Sequence, residues 1–362
     1  MARACRSRRT SPRGAIARKA AAVRRACAYS HRRCHTSAFR CKDRTEAGGR
    51  MTKGAVYCLG PLVLDRILTV DDLPGHDEKA FIKEKDERAG GPPLNCAFAL
   101  SRFGEDARLV STIGDDGDGT KLMQWLAEND LSTEAVEVEA DASTASAMII
   151  VDHTGEKAIL IDPMRIEALE AIGTKVELQP GDTVIANLFH PEAVAAIFAR
   201  AEALGLSRMI DLELPEIERW GWDALERVLP RTDIAVTNRQ MLEAWMKRNS
   251  VRADLQDAAI TLAKTLVEKG AGRAIVTLGA EGLIAFADGA VQTVTALKVT
   301  PKNTTGAGDV FLAGLATALR RGSAFERALR QATACSAHFL ETGKCEYDKA
   351  AERLRDRENA VS

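Results

Sequence analysis

The residues best suited to chemistry stand in one string, Lys302-Asn303-Thr304-Thr305-Gly306-Ala307-Gly308-Asp309, ahead of the amphipathic run 310–320. Glycine and alanine let a backbone turn tightly, so that successive N–H groups face one concavity. A helix starting there adds its positive dipole end and its unpaired first-turn donors. Such a nest suits an anion whose charge grows during reaction, as in phosphoryl transfer. Asp309 then falls in the first helical turn, where its carboxylate can take the proton of an attacking hydroxyl. No Walker lysine follows the glycines, and Phe311 stands where a dinucleotide fingerprint wants glycine. Both commoner phosphate motifs fail.

An α/β domain has to position that string. Residues 56–64 form an apolar run of buried-strand length, and 94–103 place apolar residues at helical spacing before Gly104, a natural helix stop. The runs 108–113, 183–188, 208–212, 234–237 and 274–278 read as short buried strands. Helical stretches separate them, at 121–129, from Pro191, and at 253–269. This rhythm predicts a central, mostly parallel sheet flanked by helices, with ligands at the carboxyl ends of its strands. Two segments break it: 66–90, extended and polar-alternating, and 146–162, a hairpin turning at Asp152-His153-Thr154-Gly155-Glu156. A small β-sheet lid over the site is the expectation; ordinary edge strands are the plainer alternative.

Composition narrows the partners. Residues 1–50 hold 15 Lys/Arg and 2 Asp/Glu, net +13, so the remaining 312 residues carry net −14. An acidic body without a basic stripe argues against nucleic acid, and no apolar run approaches the roughly 18 residues of a membrane span. The folded domain is therefore placed at 51–362. Residues 1–50 admit three readings: a transit-like presequence, a basic arm, or translated upstream sequence with the true start at Met51. The last is preferred, because Gly48-Gly49-Arg50 could be encoded by a purine-rich stretch before a start codon. Cys27, Cys34 and Cys41, with His31 and His35, lack the close cysteine pair of zinc modules. Without a secretory signal, Cys58, Cys96, Cys335 and Cys345 read as reduced thiols of a cytoplasmic protein.

These motifs together resemble the ribokinase, or PfkB-type, carbohydrate kinases. Asn303-Thr304-Thr305-Gly306-Ala307-Gly308-Asp309 is similar to the family's D-T-x-G-A-G-D loop, and Gly90-Gly91-Pro92-Pro93-Leu94-Asn95 to its first, glycine-rich signature. The stretches 113–119 and 276–282, and Asp65 followed by Leu73-Pro74, fit in the family's order. The resemblance implies a ribokinase-like fold and transfer of the γ-phosphate of ATP to a hydroxyl of a sugar or sugar derivative. Asp309 would be the base, and Gly306, Ala307 and Gly308 the anion hole. Asp65, Gly90, Gly91 and Asn95 would hold substrate hydroxyls, and Asn238, Thr277, Gly279, Gly282 and Gly308 the nucleotide. Mg2+ is implied with ATP, K+ near Asn303 where relatives bind a monovalent cation, and a homodimer through paired lids.

Two departures bear on cations. Asn303 replaces the usual Asp, and Met241 stands where the family's N-x-x-E pattern, begun by Asn238, has its acid. Glu243, two residues on, is turned by about 200° on a helix and does not replace it. A nucleoside kinase is the alternative within the chemistry; the low aromatic content of 5% favours a sugar, and an apolar lid surface would favour a base. A catalytically silent binding protein is the alternative outside it, opposed by the intact Gly-Ala-Gly-Asp. Lys79, Arg88 and Arg165 are the basic residues near the lid that could meet an anionic acceptor.

Overall fold

Gly60 breaks the first apolar run in two. The run was expected to be one strand over 56–64; instead β1 (Val56–Leu59) ends at Gly60, and β2 (Val63–Thr69) enters a different sheet. Gly60 has φ +146°, and a side chain there would meet Asn187 Oδ1 at 2.3 Å and Pro93 Cγ at 2.7 Å. Only glycine allows that crossing. The structure, a computed structural model, describes residues 54–361 apart from 175 and 303. Asn303 and the Cys/His group of residues 1–50 thus lie outside the described residues.

The remaining strands are β3 (Glu84–Gly90), β4 (Ala107–Gly114), β5 (Val136–Glu139), β6 (Ser146–Val151), β7 (Lys157–Asp162), β8 (Thr183–Asn187) and β9 (Ser207–Leu212). They are followed by β10 (Ile234–Asn238), β11 (Arg273–Thr277), β12 (Leu283–Ala287) and β13 (Ala290–Val294). The main sheet runs β13-β12-β11-β10-β9-β8-β1-β4-β5. It is parallel from β5 to β11, with β12 and β13 antiparallel at one edge. Successive residues alternate between two cores, as strands buried on both faces must: Tyr57 and Leu59 pack on one side, Val56 and Cys58 on the other. Cys58, Cys96 and Cys335 are buried free thiols and Cys345 is half-buried. No helix of the described residues is long and apolar enough to cross a membrane.

The second sheet is ordered β3-β2-β6-β7. It is mixed, since β2 pairs with β6 in parallel. In register across it, Asp65, Ala147 and Ile161 share one face, followed by Ile67, Ile149 and Ile159, then Thr69, Val151 and Lys157. Arg66, Met148 and Leu160 occupy the opposite face.

The Ala307–Arg320 helix was expected to be amphipathic. It is instead buried on nearly every side, residues 309–318 all being buried. Small residues make this possible: a side chain at Gly314 would stand 3.0 Å from Cys335 Cβ, on the neighbouring Phe325–Thr342 helix. The far end is anchored by Arg320, whose Nε donates to Glu105 Oε2 at 2.9 Å and whose Nη1 donates to Thr183 Oγ1 at 3.0 Å. The two side chains are 9% and 3% exposed, a buried ion pair. Arg320→Ala would remove this buried ion pair and the hydrogen bond to Thr183 together, and should cost about 3 kcal/mol, read as a lower urea midpoint at unchanged slope. An unshifted midpoint would show that water replaces the guanidinium.

Candidate active site

Asp309 is the third residue of the Ala307–Arg320 helix, which Gly306 opens at φ +84°. The left-handed turn favours glycine and leaves the first-turn N–H groups uncovered. Asp309 is 9% exposed, and its Oδ2 accepts from Asn95 Nδ2 at 2.8 Å. Asn95 comes from the Pro92–Arg102 helix, entered through Gly91 at φ +104°. A side chain at Gly90 would meet Asp65 Oδ2 at 2.2 Å, so the first glycine lets Asp65 fold back across the β2–β3 ladder. The sequence-predicted residues Asp65, Gly90, Gly91, Asn95, Gly306 and Asp309 thus form one neighbourhood where the small sheet meets the main one.

On the other side of Gly306–Asp309 lies a cleft of about 710 Å3. Thr277, Gly279, Gly282, Ala307 and Gly308 border it, and Leu297, Phe311 and Leu340 make it largely apolar. A side chain at Gly308 would meet no atom within 4 Å, so that residue faces open space rather than packing. Gly282, at φ +94°, is fixed by packing instead, its missing side chain replaced by Val294 O at 2.1 Å. Asn238 is not in the cleft wall. It pairs in register with Thr277, but its Oδ1 caps the Arg239–Asn249 helix, accepting from Met241 N at 3.0 Å. Met241 is fully buried, and Glu243 turns to Arg239 at 2.7 Å.

The 113–119 stretch is architectural. Asp116 caps the Gly117–Glu128 helix through Gly119 N at 2.8 Å and also accepts from Thr144 N and Oγ1, at 2.9 and 2.7 Å. It thereby ties that helix to the start of β6. Burial pushes its carboxyl up, but these hydrogen bonds win and hold it below the usual range.

Four residues at the site carried no signal in the motifs. Asp211 is the last but one residue of β9, and Glu213 and Glu216 follow at the start of the Leu214–Trp220 helix. Burial, then the charge of Glu213, pushes Asp309 well above the ordinary carboxylate range, against the Asn95 hydrogen bond. Burial and then Asp309 and Glu216 do the same to Asp211, and burial with Asp211 and Glu216 to Glu213. The acidic run Asp211-Leu212-Glu213-Leu214-Pro215-Glu216 after a predicted parallel strand was the available clue. The fourth is Lys157, first residue of β7, whose Nζ lies 3.3 Å from Thr305 Oγ1. Asp65 is raised to about 6 by burial, partly offset by Arg88, its partner across the ladder.

The arrangement offers a buried carboxylate beside an amide, next to helix-start N–H donors and bordering a largely apolar cleft. Among curated proteins, the chain is 29% identical over 287 residues to the ATP-dependent ribose-1-phosphate kinase of Halopiger xanaduensis, covering 78% of this chain and 90% of that protein. It is 26% identical over 299 residues to fructokinase-1 of Oryza sativa subsp. japonica, covering 78% and 90%. The fold matches Arabidopsis thaliana ribokinase complexed with ribose and ATP, at TM-score 0.67, 18% identity, and 84% and 99% coverage. The pfkB family carbohydrate kinase model matches residues 53–350, and the chain belongs to that family of kinases acting on alcohol groups.

Proposed function

We propose that the protein transfers the γ-phosphoryl group of ATP to a hydroxyl of a sugar or sugar derivative, with Asp309 as general base. The observation that carries this is the Asn95–Asp309 pair at a helix start, between the Asp65 side and the Gly308 cleft. Asp309 takes the hydroxyl proton, the oxygen attacks the γ-phosphorus, and the bond to the β–γ bridging oxygen breaks. Asn95 holds the carboxylate in place; the N–H groups after Gly306 and the lid residue Lys157 meet the charge on the moving group. Open space at Gly308 and the apolar cleft beyond fit a nucleotide's phosphates and base. Among the described residues no three acidic, His or Cys groups converge as a metal site. A bound Mg2+ would neutralise phosphate charge while resting mainly on phosphate oxygens and water. K+ near Asn303 is carried by the resemblance alone.

A second reading, a nucleoside kinase, has one specific support. The Asp65 face of the lid also presents Ile67, Ile149, Ile159 and Ile161, apolar surface that could cover a base. ATP turnover with Mg2+ over sugars, sugar acids, sugar phosphates and nucleosides separates the readings. Stimulation by nucleosides alone would select the second, and no stimulation by any acceptor would favour a silent scaffold.

Asp65 gives the reaction a pH signature. As an ionised acceptor of substrate hydroxyl protons it works above about 6 and is lost as pH falls through that value. The acceptor KM should rise below pH about 6, and Arg88→Gln should move that rise to higher pH, since Arg88 holds the carboxyl down. An acceptor KM flat from pH 5 to 8 would remove Asp65 from binding. On the outer lid face Met148 and Leu160 are paired and exposed, and Phe81 and Ile82, just before β3, are exposed as well. Covering them by a second lid predicts a homodimer at micromolar concentration, and a monomer mass by light scattering would refute it.

A further inference from the structure

Side chains of β2 alternate between two faces: Asp65 folds towards Gly90 and the acceptor side, and Arg66 stands on the opposite face. Arg66 is ion-paired with Asp118, in the first turn of the Gly117–Glu128 helix, and lies 3.5 Å from Glu87, its register partner on β3. Lys121, one turn along that helix, closes the circuit. Its Nζ is 2.5 Å from Glu87 Oε2 and 3.8 Å from Asp118 Oδ1. Two cations and two carboxylates thus alternate in a ring, half of it on the lid and half on the body.

The same helix start grips a second lid strand. Asp116 accepts from Thr144 N and Oγ1, just before β6, and Thr144 Oγ1 accepts from Gly114 N, at the end of β4, at 3.0 Å. β2 and β6 are the paired central strands of the small sheet, so both are held near their roots against one helix turn. The side chains of Arg66 and Asp118 are only 31% and 23% exposed, which spares their attraction part of the screening that weakens a surface pair. A paired strand moves as one body. β2 cannot swing Asp65 away from Asn95 and Asp309 without drawing Arg66 off Asp118.

We infer that Arg66 and Asp118 are positioning residues for the acceptor: with Glu87 and Lys121 they latch the lid onto the body, and so set where Asp65 meets the acceptor hydroxyls. This rests on the acceptor role given to Asp65 above. Both residues act through the placement of β2 rather than at the reacting atoms.

The test is steady-state kinetics on the full chain at saturating ATP, with amide exchange beside it. Arg66→Gln and Asp118→Asn should each raise the acceptor KM about three- to tenfold, far more than the KM for ATP. The double variant should be no worse than either single, since both remove one contact, and Arg66→Lys should recover part of the loss. In the wild type the acceptor KM should climb with tetramethylammonium chloride between about 0.05 and 0.5 M, and that climb should be smaller in the variants. Amide exchange over residues 142–146, where Thr144 N–H is bonded to Asp116 across the junction, should quicken in both variants. A lowered melting temperature with an unchanged acceptor KM would make the ring structural only and overturn the inference. Additive losses in the double variant, or equal rises in both KM values, would overturn it too. Should no acceptor stimulate ATP turnover by the wild type, the sugar-kinase reading fails and exchange decides: an unchanged rate over 142–146 then overturns the latch as well.

Discussion

Asp309→Asn should lower kcat by about a hundred- to ten-thousandfold, the range a positioned general base contributes, and should raise the melting temperature. The two effects share one cause. Asp309 is buried beside Glu213, so its ionised form is held at a cost and its carboxyl titrates well above the ordinary range. A carboxylate whose folded pKa is raised contributes stability below its unfolded value, and that stability is lost as pH rises through the folded value. The amide never ionises. The gain in melting temperature should therefore be absent near pH 4 and grow towards pH 8. Activity runs the other way in the wild type: the base must be deprotonated, so kcat falls with acid along a limb displaced above the usual carboxylate range. Among the described residues the Asn95 hydrogen bond opposes this displacement, and Asn95→Ala should push the limb higher still. A variant with wild-type kcat would remove Asp309 from the base role. Lost activity with a lowered melting temperature would show that the carboxylate is structural.

Much of this was legible before any fold. The alternation of buried runs identified the inner strands of the parallel sheet, because strands covered on both faces need nothing but apolar residues; the half-exposed edge strand β5 was missed. The Gly90-Gly91 pair was legible because glycine at a close approach leaves a compositional trace; the 2.2 Å distance to Asp65 is its physical reason. What stayed hidden depends on three-dimensional proximity. Nothing local marks Gly60 as the point where the chain leaves one sheet for another, since the constraint comes from Asn187 and Pro93, far along the sequence. The burial of 309–318 was missed because Ala and Gly look amphipathic beside larger residues, whereas here they mark close helix packing. The family pattern would have given Asn238 to the nucleotide; its side chain caps a helix instead. Asp211, Glu213 and Glu216 belong to no motif, and only the fold brings Asp211 and Glu213 within electrostatic reach of Asp309.

Lys157 tests how the lid takes part in chemistry. It opens β7 on the face it shares with Asp65, and its Nζ stands 3.3 Å from Thr305 Oγ1, next to the loop that would receive the γ-phosphoryl group. The hairpin delivering it is braced at its turn. Asp152 Oδ1 accepts from Thr154 N at 2.8 Å, Thr154 Oγ1 at 2.7 Å and Glu156 N at 3.0 Å, and His153 N donates to Asp71 O at 3.1 Å. Lys157 therefore moves with the lid rather than independently of it. An exposed ammonium adds little to stability, so Lys157→Met should leave the melting temperature unchanged. It should nevertheless lower kcat by about a hundred- to a thousandfold, as loss of one preorganised donor to a transferring group does. The acceptor KM should change far less, because the charge that Lys157 meets develops mainly in the transition state. Lys157→Arg should recover part of the loss, since it restores the charge at a similar reach. If Lys157→Met instead raises the acceptor KM at constant kcat, the lysine only binds substrate, and if neither constant moves, its approach to Thr305 has no part in catalysis. The expected split would make the lid a carrier of transition-state charge, so that closing over the acceptor and completing the phosphoryl site become one event. Without an acceptor to hold the lid down, Lys157 would be withdrawn and ATP left without that donor, which limits futile hydrolysis.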